Sequence, residues 1–273
     1  MREEMGAPIT FAREAQADAA IGHLQGFADA LEQLEEEIDL GNGELLVREP
    51  IGVCGLITPW NWPINQIALK VLPALAAGCT CVLKPSEHTP LSAIIYAEIL
   101  HDAGCPPGVF NLVNGEGPEV GTAMSKHPDI QMMSFTGSTR AGTAVTHDSA
   151  ESVKRVTLEL GGKSANLVFA DSDLEERVQN AVAECMANTG QSCDAPTRLL
   201  VERSCYDEVV EIARQATIAT QVGDPTEEGN HIGPLFDRIQ FDRVQTLIGV
   251  GIDEGAHLIA GGLGKPEGLE TGW

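Results

Sequence analysis

The stretch Gly52-Val53-Cys54-Gly55-Leu56-Ile57-Thr58, followed at once by Pro59-Trp60-Asn61-Trp62-Pro63, decides the fold class. Its apolar residues run on without polar alternation, as in a strand covered on both faces, and a helical pattern over Asn65 to Ala77 follows. Pro73 bends that helix, and Gly78 stands where a left-handed C-terminal cap belongs. Thr80 to Leu83 is the next apolar strand. Thr89 is placed to cap a helix with Pro90 at its first position, and the run Leu91 to Ala103 ends at Gly104. Val109 to Val113 reads as a strand, Pro118 to Ser125 as a short helix, and Gln131 to Phe135 as a strand. A helix opening at Gly137-Ser138 then runs to about Ser149. This alternation predicts a doubly wound α/β domain with a parallel sheet, where ligands gather outside the carboxyl ends of the strands.

Outward from this block, Thr10 to about Glu37 has the spacing of an amphipathic helix, Gly41-Asn42-Gly43 makes a turn, and Glu44 to Val47 is a strand. On the other side, strands Arg155 to Leu160 and Ala165 to Phe169 flank Gly161-Gly162-Lys163-Ser164. Ser172 or Asp173 caps a helix running to about Asn188. Strand Leu199 to Val201, helices Tyr206 to Thr220 and Phe241 to Glu254, and a last strand Leu258 to Ala260 complete the reading. Two domains are expected, residues 1–161 and 162–273.

The chain has 273 residues, 43% hydrophobic and 21% charged, which suits a soluble globular protein with a real core. With 17 Lys and Arg against 40 Asp and Glu, its net charge of -23 repels phosphate backbones and anionic membrane surfaces. Neither nucleic acid nor a membrane is an expected partner. Seven scattered cysteines, with no basic and apolar leader, favour a reducing cytoplasm. No Cys or His spacing completes a metal site, so none is expected.

Three glycine-bearing loops are candidates for phosphate binding. Gly115-Glu116-Gly117-Pro118-Glu119-Val120-Gly121 misplaces the last glycine of a dinucleotide fingerprint and carries two acids, so it reads as a turn. Gly162-Lys163-Ser164 resembles the end of a P-loop, but the leading glycine is replaced by Thr157. Phe135-Thr136-Gly137-Ser138 differs, because a strand ends and a helix begins with N–H groups and the Ser138 hydroxyl available to an anion. In Thr189-Gly190-Gln191-Ser192-Cys193, the cysteine sits in a small loop after a helix. Such a loop suits a presented nucleophile, although a lone cysteine is usually a small core residue.

Together, Pro59-Trp60-Asn61-Trp62-Pro63, Lys84-Pro85-Ser86-Glu87, Phe135-Thr136-Gly137-Ser138, Glu159-Leu160-Gly161-Gly162-Lys163 and Gly190-Gln191-Ser192-Cys193 resemble the aldehyde dehydrogenase superfamily, hydrolytic type, in that family's order. The resemblance implies that Cys193 is the nucleophile, that Asn61 and the Cys193 backbone N–H hold the oxyanion, and that Glu159 activates water. It further implies that Thr58, Pro59, Trp60, Lys84, Ser86, Glu87, Gly137, Ser138, Leu160 and Gly161 contact the cofactor. NAD is expected over NADP, because the Glu87 carboxylate disfavours a 2'-phosphate. Taken alone, Asn61 reads as a turn residue and Glu159 as an ion-paired strand end.

The resemblance also implies a fragment. The family's segment before the first long helix is lacking, and so is its later Glu-x-Phe-Gly-Pro motif. Residues 41–50 are expected to belong to an oligomerisation element, with a homo-oligomer as the full-length form. The function so implied is NAD-dependent oxidation of a small-molecule aldehyde to the acid. The alternative is a catalytically impaired fragment that retains only nucleotide or partner binding.

Overall fold

The computed structural model describes residues 1–273. The chain divides into two compact units, one formed by residues 13–160 with Met1 and the other by residues 2–12 with 161–273.

The first unit is built on five parallel strands, β3 (Val53–Ile57), β4 (Thr80–Lys84), β5 (Phe110–Leu112), β6 (Met132–Gly137) and β7 (Arg155–Leu160), after a hairpin of β1 (Glu37–Asp39) and β2 (Leu45–Val47). Their spatial order is β5-β4-β3-β6-β7, so the chain leaves β3 in one direction along the sheet and returns to its other side at β6. That reversal opens a crevice between β3 and β6 at their carboxyl ends, the place where such sheets bind ligands. Side chains alternate between faces along each strand. Cys54 and Leu56 of β3, with Cys81 and Leu83 of β4, pack against helices α1 (Asp18–Glu32), α2 (Pro63–Ala76) and α3 (Pro90–Asp102) through Ala20, Ile67, Val71 and Tyr96. On the opposite face Ile57, Met133 and Phe135 pack with Met124 and with Val145 of α4 (Thr139–Ser149). Both faces of the central strands are therefore covered, which explains why they read as continuous apolar runs.

Gly142 of α4 shows how closely helix and sheet approach, since a Cβ there would meet Leu160 Cδ2 at 2.8 Å. Ser138 caps this helix, its Oγ accepting from the Ala141 N–H at 3.3 Å.

The second unit pairs β8 (Ala165–Val168) with β9 (Arg198–Val201) in parallel. Its core sets Val168, Leu199 and Val201 against Val178 of α5 (Leu174–Met186) and Val209 and Ile212 of α6 (Tyr206–Ala219). Leu167 and Leu200, partners in register, are 61% and 46% exposed on the other face. Asp173 caps α5 through the Glu176 N–H, and Asp237 caps α7 (Arg238–Asp253) through the Gln240 N–H.

Several sequence expectations are corrected here. The first long helix stops at Glu32, and Glu37–Asp39 is a strand, because pairing with β2 across the Gly41–Gly43 turn satisfies its backbone. Helicity before α1 takes the wider π form over Ala12–Ala17. Thr89 occupies the N-cap position of α3 but makes no side-chain cap bond; its ψ of 53° departs from the extended backbone that aims a capping hydroxyl at the helix. Leu258 to Ala260 is an irregular segment with Leu258 54% exposed, for a strand requires a ladder partner.

Candidate active site

In the first unit, β3 delivers Thr58, which is buried and whose N–H donates to the Lys84 carbonyl at 3.2 Å. Pro59, Trp60 and Asn61 follow as a half-buried loop that turns into α2, where Pro63 takes the first helical position. The loop is held from α1's side of the sheet by Gln16, whose Nε2 donates to the Asn61 carbonyl oxygen at 3.4 Å.

The strand register lines up a row of polar groups on one face. Thr136 of β6 is opposite Glu159 of β7, and Thr58 continues the same row one residue beyond the last paired position of β3. Thr136 Oγ1 is buried with no hydrogen-bond partner, an orphaned group at the mouth of the crevice. One step beneath lies Ser134, whose Oγ accepts from Lys70 Nζ of α2 at 2.8 Å. Burial pushes the Lys70 ammonium down from its ordinary 10.5 to about 8, an effect partly offset by the Glu159 carboxylate. Glu159 itself is exposed, on the face of β7 that it shares with exposed Arg155 and Thr157, while Val156, Leu158 and Leu160 pack on the other.

Sequence reasoning missed Lys70, beside this row, and named Thr136 only within the Phe135-Thr136-Gly137-Ser138 motif. A lysine in a helix reads as solvated surface by default, but its neighbours Ile67, Ala68 and Val71 mark this face of α2 as core. The Lys70 position on that apolar face was the available signal.

At the end of β4, Lys84 is almost wholly buried and donates through Nζ to the Pro85 carbonyl at 2.8 Å and to Glu87 Oε2 at 3.1 Å. Ser86 closes the turn, its Oγ accepting from the His88 N–H. Burial pushes the Glu87 carboxyl up, but hydrogen bonds from its own backbone N–H and from Lys84 outweigh this and hold it below the usual range. Gly137 ends β6, and Ser138 leads into α4. The Ser138 Oγ is engaged as a cap acceptor, which leaves its O–H as a donor toward an anion. An anion-ready helix N-terminus, an orphaned hydroxyl and a buried cation beside a carboxylate fit a dinucleotide at a strand-order reversal.

In the second unit, Gly161 and Gly162 are exposed in the link into β8. A strand rather than a helix follows Gly162-Lys163-Ser164, which removes the P-loop reading. Cys193 is exposed in a turn after α5. The chain reaches it through three successive left-handed residues, Asn188 (φ 53°), Thr189 (φ 58°) and Gly190 (φ 71°). Only glycine adopts this conformation without strain, and β-branched Thr189 is a genuine outlier. Hydrogen bonds hold the loop in place: Thr189 Oγ1 donates to the Gly233 carbonyl at 3.1 Å, and Gln191 Oε1 accepts from the Phe236 N–H at 2.9 Å. Gln191 Nε2 also donates to the Asn188 carbonyl at 3.1 Å. The result is a rigid pedestal for a thiol. No group of three or more metal-ligating side chains occurs that could hold a metal ion.

Comparison with known proteins bears on this arrangement. The 3-succinoylsemialdehyde-pyridine dehydrogenase of a Pseudomonas species is 55% identical over 272 residues, covering 99% of this chain and 57% of the relative. Among solved structures, an aldehyde dehydrogenase from Bartonella henselae superposes with a TM-score of 0.96 at 51% identity, covering 99% of this chain and 57% of that one. A mutant of aldehyde dehydrogenase C from Pseudomonas syringae with one cysteine changed to alanine, complexed with NAD+ and octanal, gives a TM-score of 0.97 at 52% identity, covering 99% and 56%. The chain thus spans a little over half the length of these relatives. The model of the aldehyde dehydrogenase family matches residues 1–273, so this chain, with its crevice at the strand-order reversal and its pedestal-borne cysteine, belongs to the aldehyde dehydrogenase family.

Proposed function

We propose that the chain carries the chemistry of NAD-dependent oxidation of an aldehyde to a carboxylic acid. The Cys193 thiolate adds to the aldehyde carbon to form a thiohemiacetal. The side-chain amide of Asn61 and the backbone N–H of Cys193 stabilise the oxyanion, and loss of one such donor costs about 3 kcal/mol in comparable enzymes. Held by the contacts proposed below, NAD would supply the acceptor for the hydride of this carbon, and loss of that hydride leaves Cys193 as a thioester. Glu159 takes a proton from the water that attacks the thioester, and the acid and the Cys193 thiol are released.

The observation that carries this reading is the presentation of Cys193, exposed and fixed by a strained left-handed loop. The cysteine-to-alanine relative complexed with NAD+ and octanal supports it. For the cofactor, Thr58, Pro59, Trp60, Lys84, Ser86, Glu87, Gly137, Ser138, Leu160 and Gly161 are the proposed contacts. The Glu87 carboxylate, ionised below the usual range, favours NAD over NADP by repelling a 2'-phosphate.

The β1–β2 hairpin exposes Leu45, Leu46 and Val47, and this supports a role for residues 41–50 in self-association of the longer protein. No helix is long and apolar enough to cross a membrane. The scattered cysteines and the acidic surface favour a cytoplasmic setting.

Mixing the chain with NAD and a panel of aldehydes that includes octanal, while following NADH absorbance, tests the proposal. Turnover that Cys193→Ala abolishes is the expected result. Binding of NAD with no turnover of any aldehyde would instead establish a fragment that only binds nucleotide.

A further inference from the structure

Gln16 is a wholly buried amide on a helical face that is otherwise small and apolar. Ala12 and Ala20, four residues to either side, are buried as well, and Ala20 packs with Ile67 and Ala68 of α2. Taking an amide out of water is unfavourable unless a hydrogen bond is regained inside, and a methionine would fill the same space without that cost. The bond regained runs to the loop that carries the proposed oxyanion donor, since Gln16 Nε2 donates to the Asn61 carbonyl oxygen at 3.4 Å.

The backbone around Gln16 is unusual in the same place. Gln16 lies in the π-helical segment Ala12–Ala17, and such wide turns are rare and concentrate at functional sites. A second polar contact runs beside the first: His23 Nε2 donates to Asn65 Oδ1 at 2.7 Å, so the start of α2 is gripped at both Asn61 and Asn65. Asn61 needs such a hold, because Trp60, Asn61 and Trp62 form a bend that belongs to neither β3 nor α2. An oxyanion donor helps only when its N–H is already aimed where charge develops. Holding the Asn61 carbonyl fixes the peptide plane that follows it, and so the direction in which the Asn61 side chain leaves the backbone.

We propose that Gln16 is a positioning residue for the oxyanion, acting through the Asn61 carbonyl to aim the Asn61 side-chain amide; this rests on the role proposed above for Asn61. Proton–nitrogen NMR of the whole chain, with 15N in the asparagine side chains and the Asn61 signal assigned by Asn61→Ala, tests the aim directly. Asn61 should give one sharp NH2 pair in the unmodified chain, and a doubled or broadened pair in Gln16→Met. Asn111, held in the same unit by the Cys81 and Gly108 carbonyls, should keep its signal and so report an intact fold. Gln16→Leu replaces the methionine variant if that one disturbs Asn111 too. An Asn61 pair unchanged by loss of the Gln16 amide overturns the proposal. In the NADH assay Gln16→Met should lower kcat about threefold, the low end for one neutral hydrogen bond, with KM for NAD unchanged. The same substitution should cost nothing more in an Asn61→Ala chain, and additive losses would show that Gln16 does not act through Asn61. Full turnover by Asn61→Ala, or no turnover by the unmodified chain, counts against the proposed oxidation mechanism instead, and the Asn61 signal then still decides whether Gln16 aims this amide.

Discussion

Lys70 Nζ donates to Ser134 Oγ at 2.8 Å, so a buried ammonium joins α2 to β6. The folded chain holds this group at about 8, below the ordinary 10.5, chiefly because burial disfavours its charge. Between these values the unfolded chain binds a proton that the folded chain has shed, so stability rises with pH across that window. The gain should total roughly 3 kcal/mol, and Lys70→Met should lack it. Urea unfolding of both proteins at intervals from pH 7.5 to 10.5 checks this through the slope of their difference.

Ser138 serves α4 as a cap and, in the proposed function, the cofactor as a hydroxyl donor. Ser138→Ala should cost about 1 kcal/mol of stability through the lost cap. NAD affinity should fall as well, whereas Ser138→Asp should keep the cap and still weaken NAD by placing a carboxylate beside its phosphates. Thermal melts with and without NAD separate the two effects.

Glu159→Gln removes the proposed base and leaves Cys193 untouched. Mixing this variant with NAD and a competent aldehyde should give one rapid burst of NADH per active chain, followed by a steady rate slower by about 100-fold or more. A steady rate equal to that of the unmodified chain would assign water activation to another group.

Thr189→Gly relieves a left-handed threonine, a gain of about 1–2 kcal/mol, and loses the bond to the Gly233 carbonyl, a cost of about 1 kcal/mol. Added glycine entropy brings the balance close to zero. Global stability should change by less than about 1 kcal/mol, while Cys193 alkylates faster on a loosened pedestal. Denaturant titration and timed iodoacetamide labelling measure the two quantities.

The parallel sheet was legible because its strands are apolar on both faces and its helices carry their own punctuation, such as Gly78, Pro90 and Gly104. Ser172 or Asp173 was read as a cap from residue type alone, and Asp173 makes the bond; Ser138 was read only as an anion donor, yet it also caps α4. Thr89 shows the limit, since a cap depends on ψ as well as on a hydroxyl. Glu37–Asp39 escaped because a strand of three residues is defined by its partner and not by its own pattern. The polar row of Thr58, Thr136 and Glu159 depends on register between separate strands, a long-range quantity that no local spacing encodes. Lys70 was hidden for a related reason: its burial follows from the neighbours of α2, and charge alone argues the other way.

The order β5-β4-β3-β6-β7 has a consequence for redesign of this molecule. The crevice exists because the chain crosses from one flank of the sheet to the other between β5 and β6, and no side chain creates it. Joining the ends of the sheet-forming segment and reopening the chain in that crossover would yield a permuted protein with the same cleft. An insertion that drew β6 to the far side of β5 would erase the cleft even with every residue of the candidate site intact.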